Sequence, residues 1–306
     1  MFQEKRTLFL YCVSPVHMGA GTALGVIDNP IQRERHTGHP VMAGSGLKGA
    51  LRHHLGRTWD KKVLCALFGP ETDDSSEHAG AVSFSDAQLL AFPVRSPKRA
   101  FVYAVSPTTL ARAGRLLYAA GVDCGWSGHV PDVESNHCLI VNPDLLTEDK
   151  VALESFQFTA RVDQGLRVVS EWLSEHAMHQ GEAYKFFRNK LKEDMVLLPD
   201  EDFSYFVKNA TVVEPHVRID DITGTAQEGG LFYTENLPPE SLMVSLIMAG
   251  GDRSKAGKQL EDAASVIGTL VKGAGNQEGI HNVLLQIGGD ATTGRGQVIL
   301  TVTGGN

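Results

Sequence analysis

The sequence predicts an α+β fold with a ferredoxin-like core that carries large insertions. The first part of the chain has the pattern of a strand, a loop and a helix, and the last part has the pattern of a strand, a helix and two strands. Two such halves together build a two-layer sandwich of the ferredoxin type. Hydrophobic periodicity is weaker between them, which places the insertions in the middle of the 306-residue chain.

The first half-unit begins with a strand at residues 7 to 13, an apolar run of β-forming residues that ends before a Ser-Pro pair. A long loop follows, because the residues before Pro30 and Pro40 are pushed toward extended geometry. Ser45 is a suitable N-cap for a helix over about residues 46 to 59. Leucines mark this helix at every fourth position: Leu47, Leu51 and Leu55.

Similar signals divide the rest of the chain. The middle elements are strands at 81–84 and 100–105, a helix at 110–120, helical spacing over 170–192 and strands within 200–213. The last elements are a strand at 242–249, a helix near 256–270, strands at 282–287 and 298–302, and a loop at 288–296. The C-terminal pattern is the second half-unit of the predicted core.

The charge of the chain restricts the kind of partner that it can bind. A net charge of -8 argues against a surface that coats nucleic acid throughout. Residues 28 to 57, however, hold five Lys or Arg against two acids, and five minus two gives a local net charge of +3. Any polyanion-binding site is therefore expected to be local and to include this segment.

The expected location of the protein is the cytoplasm, with no membrane contact. The N-terminus lacks the pattern of a secretory signal, and no stretch approaches the roughly 18 consecutive apolar residues of a membrane helix. The four cysteines form no C-x-x-C pair, and their spacing does not suggest a disulfide framework. They are expected to be reduced and mostly buried.

The segment Gly44-Ser45-Gly46 before Lys48 has the features of a phosphate-binding helix N-terminus. Glycines permit close approach of the backbone, and free amides at a helix start attract anions. Lys48 and Arg52 share one face of the helix and add full charges. The spacing differs from that of a nucleoside-triphosphate P-loop, which excludes that class of NTPase. An ordinary helix with surface cations is the alternative.

A second glycine-rich loop, residues 288 to 296, contains Arg295 between Gly294 and Gly296. An arginine flanked by glycines can reach a phosphate with both of its terminal nitrogens. A simple hairpin turn is the alternative for a single loop of this kind. Two such loops in one chain favour a shared polyanionic ligand.

Asp28 is the carboxylate best placed for chemistry in the first loop. Its role is open between a general base, a metal ligand and a turn residue that binds nearby amides. The neighbouring Arg33 and Arg35 favour its ionised form, which suits a metal ligand better than a proton donor. His17 is the candidate partner for proton transfer, because imidazole changes charge near neutral pH.

Taken together, these segments resemble the RAMP superfamily of CRISPR proteins, and within it the backbone subunit of type III-B effectors. The motifs that carry the resemblance are Ser14-Pro15-Val16-His17-Met18-Gly19-Ala20-Gly21, Asp28-Asn29-Pro30-Ile31-Gln32-Arg33-Glu34, Gly44-Ser45-Gly46-Leu47-Lys48-Gly49-Ala50-Leu51-Arg52, Phe92-Pro93-Val94-Arg95-Ser96 and the loop 288–296. The resemblance implies a single RAMP domain with a ferredoxin-like or RRM-like palm at about residues 1–120 and 236–306. Insertions within about 121–235 are expected to include a thumb β-hairpin.

The resemblance also implies a function. Backbone subunits of this family stack into a helical assembly on a CRISPR guide RNA, together with other subunits of the Cmr complex. They cut the complementary target RNA at regular intervals, with a divalent metal, Mg²⁺ or Mn²⁺, as the implied cofactor. The chain is therefore expected to be an endoribonuclease.

Individual residues receive expected roles from their motif positions. Asp28 is the implied cleavage residue and metal ligand, and His17, Tyr233 and Glu235 are implied nearby catalytic residues. The implied RNA-binding residues are Gly44, Ser45, Gly46, Lys48, Arg52, Arg33, Arg35, Gly294, Arg295 and Gly296. Two alternatives stay open: a purely structural RNA-filament subunit, and a stand-alone guide-processing nuclease that uses His17 without metal.

Overall fold

The computed structural model describes residues 2–70, 78–126, 130–254 and 258–305. Its strands are β1 Glu4–Cys12, β2 Val41–Met42, β3 Val82–Phe84, β4 Ala87–Ser96, β5 Ala100–Val105, β6 His137–Ile140, β7 Lys150–Leu153, β8 Phe156–Val162, β9 Met195–Leu197, β10 Val212–Ile219, β11 Ala226–Asn236, β12 Leu242–Ala249, β13 Gly273–Ala274, β14 Gln277–Glu278, β15 Leu284–Gln286 and β16 Gln297–Thr303. Its α-helices are α1 Gly44–Leu55, α2 Lys61–Phe68, α3 Pro107–Ala119, α4 Gln164–His176, α5 Lys185–Glu193, α6 Asp200–Asn209 and α7 Ala263–Lys272.

The predicted ferredoxin-like core is confirmed by the order of the central strands. The sheet runs β16-β1-β12-β4, and each of these neighbouring pairs is antiparallel. With α1 after β1 and α7 after β12, this order is that of two interleaved strand-helix-strand halves. The N-terminal and C-terminal parts of the chain therefore build one core together.

Strand β1 lies at the centre of this core and is buried on both faces. Leu8 and Leu10 belong to one hydrophobic cluster, which includes the buried leucines of α1 and the buried residues Val266, Ile267 and Leu270 of α7. Phe9 and Tyr11 point the opposite way and belong to a second cluster with α3 and α4. Because side chains alternate along a strand, burial on both faces explains why the run is continuously apolar.

Beyond β4 the sheet continues through β5, β9, β6, β8 and β7. This extension is mixed, because β5 pairs with β9 and β6 pairs with β8 in parallel. Three of its strands, β6, β7 and β8, come from the predicted insertion. In the described residues, no helix is long and apolar enough to cross a membrane.

A long hairpin, β10–β11, leaves the sheet within the predicted insertion. Its two strands form a separate two-stranded sheet, with an irregularity between Val217 and Ile219. The outer part is exposed, while the base of β11, from Thr234 to Asn236, is buried. The base of the hairpin therefore belongs to the body of the protein, and its far end reaches into solvent.

Two predicted elements differ from the structure. Strands predicted within 200–213 are wrong for the first ten positions, which form α6. Three acids in its first turn favour a helix start, and Phe203, Phe206 and Val207 recur at helical spacing on its buried face. The helix predicted near 256–270 begins later, at Ala263 with Asp262 as its cap, and positions 256 and 257 of that prediction lie outside the described residues.

The turn between the hairpin and β12 contains a half-buried acid in a left-handed backbone conformation, Glu240. Its backbone φ is +69°, and its Oε2 is buried with no hydrogen-bond partner among the described residues. Burial raises the pKa of Glu240 from 4.5 to about 8. The folded protein therefore holds a proton that the unfolded chain releases, and folding stability decreases as the pH rises from about 4.5 to about 8.

We expect Glu240→Gln to remove this pH dependence, because glutamine does not ionise. The rise in pKa from 4.5 to about 8 corresponds to roughly 4 kcal/mol at pH 8. Because solvent screens this partly exposed carboxyl group, we expect the mutant to gain about half of that, about 2 kcal/mol of unfolding free energy over the wild type, at pH 8 and little at pH 5. Urea denaturation at the two pH values measures both quantities. The exposed Glu261→Gln is the control, and an equal gain in that variant would contradict the assignment to Glu240.

Candidate functional site

The fold brings the glycine-rich loop 288–296 into direct contact with the segment around His17. The amide of Gly289 donates to the carbonyl oxygen of His17 at 2.9 Å, and the amide of Gly296 donates to that of Pro15 at 2.8 Å. Gly288 has a φ of +82°, and a Cβ atom there would lie 2.3 Å from the carbonyl oxygen of His17. The loop after β15 can pack here only because this position is glycine.

Asp28 is anchored to strand β11 of the hairpin. Its Oδ2 accepts a hydrogen bond from the backbone amide of Tyr233 at 2.7 Å. The amide of Asn29 donates to the carbonyl of Tyr233, and the amide of Glu235 donates to the carbonyl of Asn29, both at 3.0 Å. The Asp28 segment thus lies along the edge of β11 that β10 leaves open.

The second oxygen of Asp28 has a different environment. No described residue donates a hydrogen bond to Oδ1, although the side chain is half-buried. The backbone amide therefore fixes the orientation of the carboxylate while one oxygen stays open to a ligand. A carboxylate held in this way is suited to accept a proton or to bind a cation.

His17 is oriented by the same strand. Its Nδ1 lies 2.7 Å from the carbonyl oxygen of Glu235, so Nδ1 carries the hydrogen of this bond. A Cβ atom at Gly19 would lie 2.9 Å from Nε2 of His17, which shows how closely the backbone passes the ring. His17 and Asp28 therefore contact residues only two positions apart on β11.

Glu235 has protein partners for both carboxylate oxygens. Oε2 accepts from the amide of Ile31 at 3.0 Å, and Oε1 accepts from Thr211 Oγ1 at 2.8 Å and from Arg33. The side chain of Glu235 is 4% exposed. In this structure Glu235 and Arg33 bind each other, whereas Arg35, the other arginine of the segment, is exposed.

Helix α1 begins differently from the prediction. The N-cap is Ala43, so the expectation that Ser45 caps the helix is wrong. Asp86 takes that role from outside the helix, since its Oδ1 accepts from the amide of Gly44 at 2.8 Å. Ser45 and Gly46 are exposed in the first turn, where amides have no intrahelical acceptor. The helix start therefore still presents donors to an anion.

Lys48 and Arg52 are partly engaged with the protein. Lys48 Nζ donates to the carbonyl of Val82 at 3.0 Å, and burial, followed by the charge of Arg52, lowers the Lys48 pKa. Arg52 donates to the carbonyls of Gly69 and Pro70 at 2.8 and 3.1 Å. Both cations thus fix local backbone, and any contact with a ligand uses their remaining donors.

Arg295 pairs with Glu214 of the hairpin strand β10. The flanking residues Gly294 and Gly296 have φ values of +81° and +79°. Sequence reasoning missed Glu214, although an acid between apolar residues and followed by Pro215 in an otherwise β-forming run is a usable signal. The ion pair joins the second glycine-rich loop to the hairpin.

A protein-only metal site is not formed by the described residues. They contain no group of three or more His, Cys, Asp or Glu that could hold a metal ion. Asp28 offers one open carboxylate oxygen, whereas both oxygens of Glu235 are already bound. These donors fit only a metal that takes the rest of its shell from water and from a bound substrate.

Comparison with known proteins identifies the family. The family model described as "RAMP superfamily" matches residues 9–299. The chain belongs to the RAMP superfamily. This RAMP protein is 36% identical over 296 residues to the "CRISPR system Cmr endoribonuclease Cmr4" of Pyrococcus furiosus, an alignment that covers 96% of this chain and 94% of the relative. A Cmr4 subunit of Saccharolobus solfataricus is 24% identical over 268 residues, with 82% and 86% of the two chains covered.

Solved structures of RAMP proteins share the fold. A crystal structure of oligomeric Cmr4 from Pyrococcus furiosus matches with a TM-score of 0.74 and 28% identity, and it covers 99% of both chains. A cryo-EM structure of the type III-B Cmr-beta complex bound to cognate target RNA matches with a TM-score of 0.72 over 98% of both chains. Its 17% identity supports the common fold alone. The α+β architecture of this chain is therefore that of RAMP proteins related to Cmr4.

Proposed function

We propose that this RAMP protein is an endoribonuclease and a backbone subunit of a type III-B CRISPR effector. In this role it binds guide RNA and cuts the complementary target RNA at regular intervals. The Pyrococcus relative, at 36% identity, is named a Cmr endoribonuclease, and an oligomeric Cmr4 has the same fold. Further copies of this chain and other Cmr subunits are the expected protein partners.

One observation carries the proposal for the reaction centre. Asp28 is held through Oδ2 by the Tyr233 amide at 2.7 Å, while Oδ1 has no donor among the described residues. Helix α1 with Lys48 and Arg52, together with the loop at Arg295, supplies cations and exposed amides for phosphates. Base pairing with the guide supplies sequence specificity, so the protein needs contacts with backbone and shape only.

The proposed reaction is attack of a target ribose 2′-hydroxyl on the adjacent phosphate. The 2′-oxygen bonds to phosphorus, the bond to the 5′-oxygen breaks, and a 2′,3′-cyclic phosphate and a 5′-hydroxyl result. Asp28 Oδ1 accepts the hydroxyl proton or binds the cation that favours its loss. The leaving 5′-oxygen takes up a proton from water or from Nε2 of a protonated His17, whose ring is oriented through Nδ1.

A divalent cation, Mg²⁺ or Mn²⁺, is the proposed cofactor. When bound, it neutralises the charge that develops on the phosphoryl oxygens. Asp28 Oδ1 is the one protein carboxylate oxygen proposed as its ligand, with RNA phosphate oxygens and water completing the shell. Tyr233 and Glu235 act in this proposal through their backbone groups, which orient Asp28 and His17.

The reconstituted complex tests this function. We expect the complex to cut labelled complementary RNA into a ladder of uniformly spaced products. The ladder should disappear in EDTA and return when Mg²⁺ or Mn²⁺ is added. Undiminished cleavage in EDTA would exclude the proposed cofactor. Cleavage of unpaired repeat RNA by the isolated chain would favour the metal-independent processing nuclease instead.

The pair between Arg295 and Glu214 gives a test of RNA binding. If Arg295 holds RNA phosphate, Glu214 competes for the same guanidinium. Glu214→Gln should therefore tighten guide-RNA binding about 3-fold to 10-fold. The slope of log Kd against log salt concentration should become steeper by about 1, the value for one additional phosphate contact. Fluorescence anisotropy at several salt concentrations measures both quantities.

The exposed Glu228→Gln on the same hairpin is the matched control, because it removes the same charge without touching Arg295. Equal tightening in the two variants would mean that net charge, and not release of Arg295, causes the effect.

A further inference from the structure

The largely buried ion pair of Arg33 and Glu235 joins the segment that carries Asp28 to strand β11. We infer that Arg33 is a positioning residue for RNA cleavage, and that it holds Asp28 in place by acting through Glu235. The inference rests on the proposed function and extends it to a residue that touches neither RNA nor the reacting atoms. It replaces the sequence-based expectation that Arg33 binds RNA phosphate.

Glu235 connects four parts of the chain. Its amide donates to Asn29, and its carbonyl accepts from His17 Nδ1. Its carboxylate accepts from the Ile31 amide, from Thr211 Oγ1 and from Arg33. Every polar group of this residue therefore holds a segment that borders the proposed reaction centre.

The Asp28 segment is fixed to β11 at two levels. The first is the backbone ladder at Asn29, and the second is the bond from the Ile31 amide to Glu235 Oε2 at 3.0 Å. Ile31 is only three residues from Asp28, and its side chain is 2% exposed. A displacement of the Glu235 carboxylate would therefore move the backbone that supports Asp28.

Arg33 keeps that carboxylate in place and compensates its charge. Besides Glu235, its guanidinium donates to the carbonyl oxygen of Gly38 at 2.7 Å and to that of Val207, in α6, at 3.2 Å. Its side chain is 22% exposed, and that of Glu235 is 4% exposed. Removal of one partner from such a pair leaves an uncompensated charge that must move toward water or take up a proton.

The expected consequence is a slower chemical step without weaker RNA binding. A displacement of about 1 Å at a reacting group can cost roughly a hundredfold in rate. We therefore expect Arg33→Met to lower the single-turnover cleavage rate constant of the assembled complex about a hundredfold, with an unchanged Kd for target RNA. The more conservative Arg33→Lys should recover much of the rate, because it keeps a cation near Glu235.

Two further variants separate positioning from general destabilisation. Lys190→Met removes the cation of another buried pair, with Asp194, whose side chains are 7% and 6% exposed. It should lower the melting temperature but leave the cleavage rate constant unchanged. The double variant Arg33→Met with Glu235→Gln removes both charges and should cleave faster than Arg33→Met alone, because no buried charge is left without a partner.

The test uses the assembled complex with saturating labelled target RNA, and measures the rate constant, the Kd and the melting temperature of each variant. Wild-type cleavage by Arg33→Met would overturn the inference. So would a rate loss that Lys190→Met shares, or one that neither Arg33→Lys nor the double variant relieves. Asp28→Asn is measured alongside: if it cleaves normally, the proposed function itself fails, whereas an inactive Asp28→Asn with a fully active Arg33→Met contradicts only the positioning role.

Discussion

Asp28→Asn should abolish target-RNA cleavage, with a loss of about a thousandfold in the single-turnover rate constant. Asparagine keeps an oxygen that can accept from the Tyr233 amide, so the segment should stay in place along β11. What is lost is the negative charge and the basicity of the free oxygen. The measurement is cleavage of labelled complementary RNA by the reconstituted complex, with guide-RNA binding and assembly measured in parallel.

Asp149→Asn is the matched control for this variant. Asp149 is exposed beside β7, at the far edge of the sheet, and its substitution changes the net charge by the same amount. We expect normal cleavage from this control. Cleavage by Asp28→Asn at the control rate would refute a role for Asp28 in the reaction, and failure of Asp28→Asn to assemble would assign the residue a structural role instead.

Gly288→Ala should destabilise the protein by roughly 3 to 5 kcal/mol, in the range of severe core and backbone defects. The added Cβ would lie 2.3 Å from the carbonyl oxygen of His17, and the φ of +82° is unfavourable for any residue with a side chain. The contact involves backbone on both sides, so neither partner can rotate away. Chemical denaturation of the purified chain measures the loss.

Gly294→Ala, in the same loop, separates the cost of the left-handed backbone from the cost of the close contact with His17. Gly294 has a similar φ of +81°, but a Cβ atom there meets nothing within 4 Å. We expect a cost of only about 1 kcal/mol from the left-handed backbone. If the two variants were equally destabilised, close packing of the loop against His17 would not be the reason for glycine at position 288.

Local sequence signals were sufficient to predict the central strands and helices of the fold. The run at β1 is apolar because the strand is buried on both faces, and the C-terminal strands have clear turn signals between them. Strand β4 was missed because Pro93 interrupts its pattern. In the structure β12 pairs with β4 only up to Ala91, so Pro93 has a ladder partner in β5 but none on its other side. A missing amide is tolerated on that open side.

The residues of the candidate site could be predicted only in part from local sequence signals. Asp28, His17 and the glycine-rich loops stand out because each lies in a short, unusual segment. The pairing of Arg33 with Glu235 cannot be recognised from the sequence, because the two residues are 202 positions apart and only the fold brings them together. From sequence, an arginine near a candidate phosphate site is more readily interpreted as a ligand-binding residue than as half of a buried pair.

The anchor of Asp28 is a main-chain group, and this has a consequence for how the site can vary. The amide at position 233 is present with any residue except proline, so exchange of the tyrosine side chain leaves the donor to Asp28 in place. A change of the aromatic ring therefore does not by itself alter the orientation of the carboxylate. Related chains can diversify the rim of this site without having to rebuild its centre.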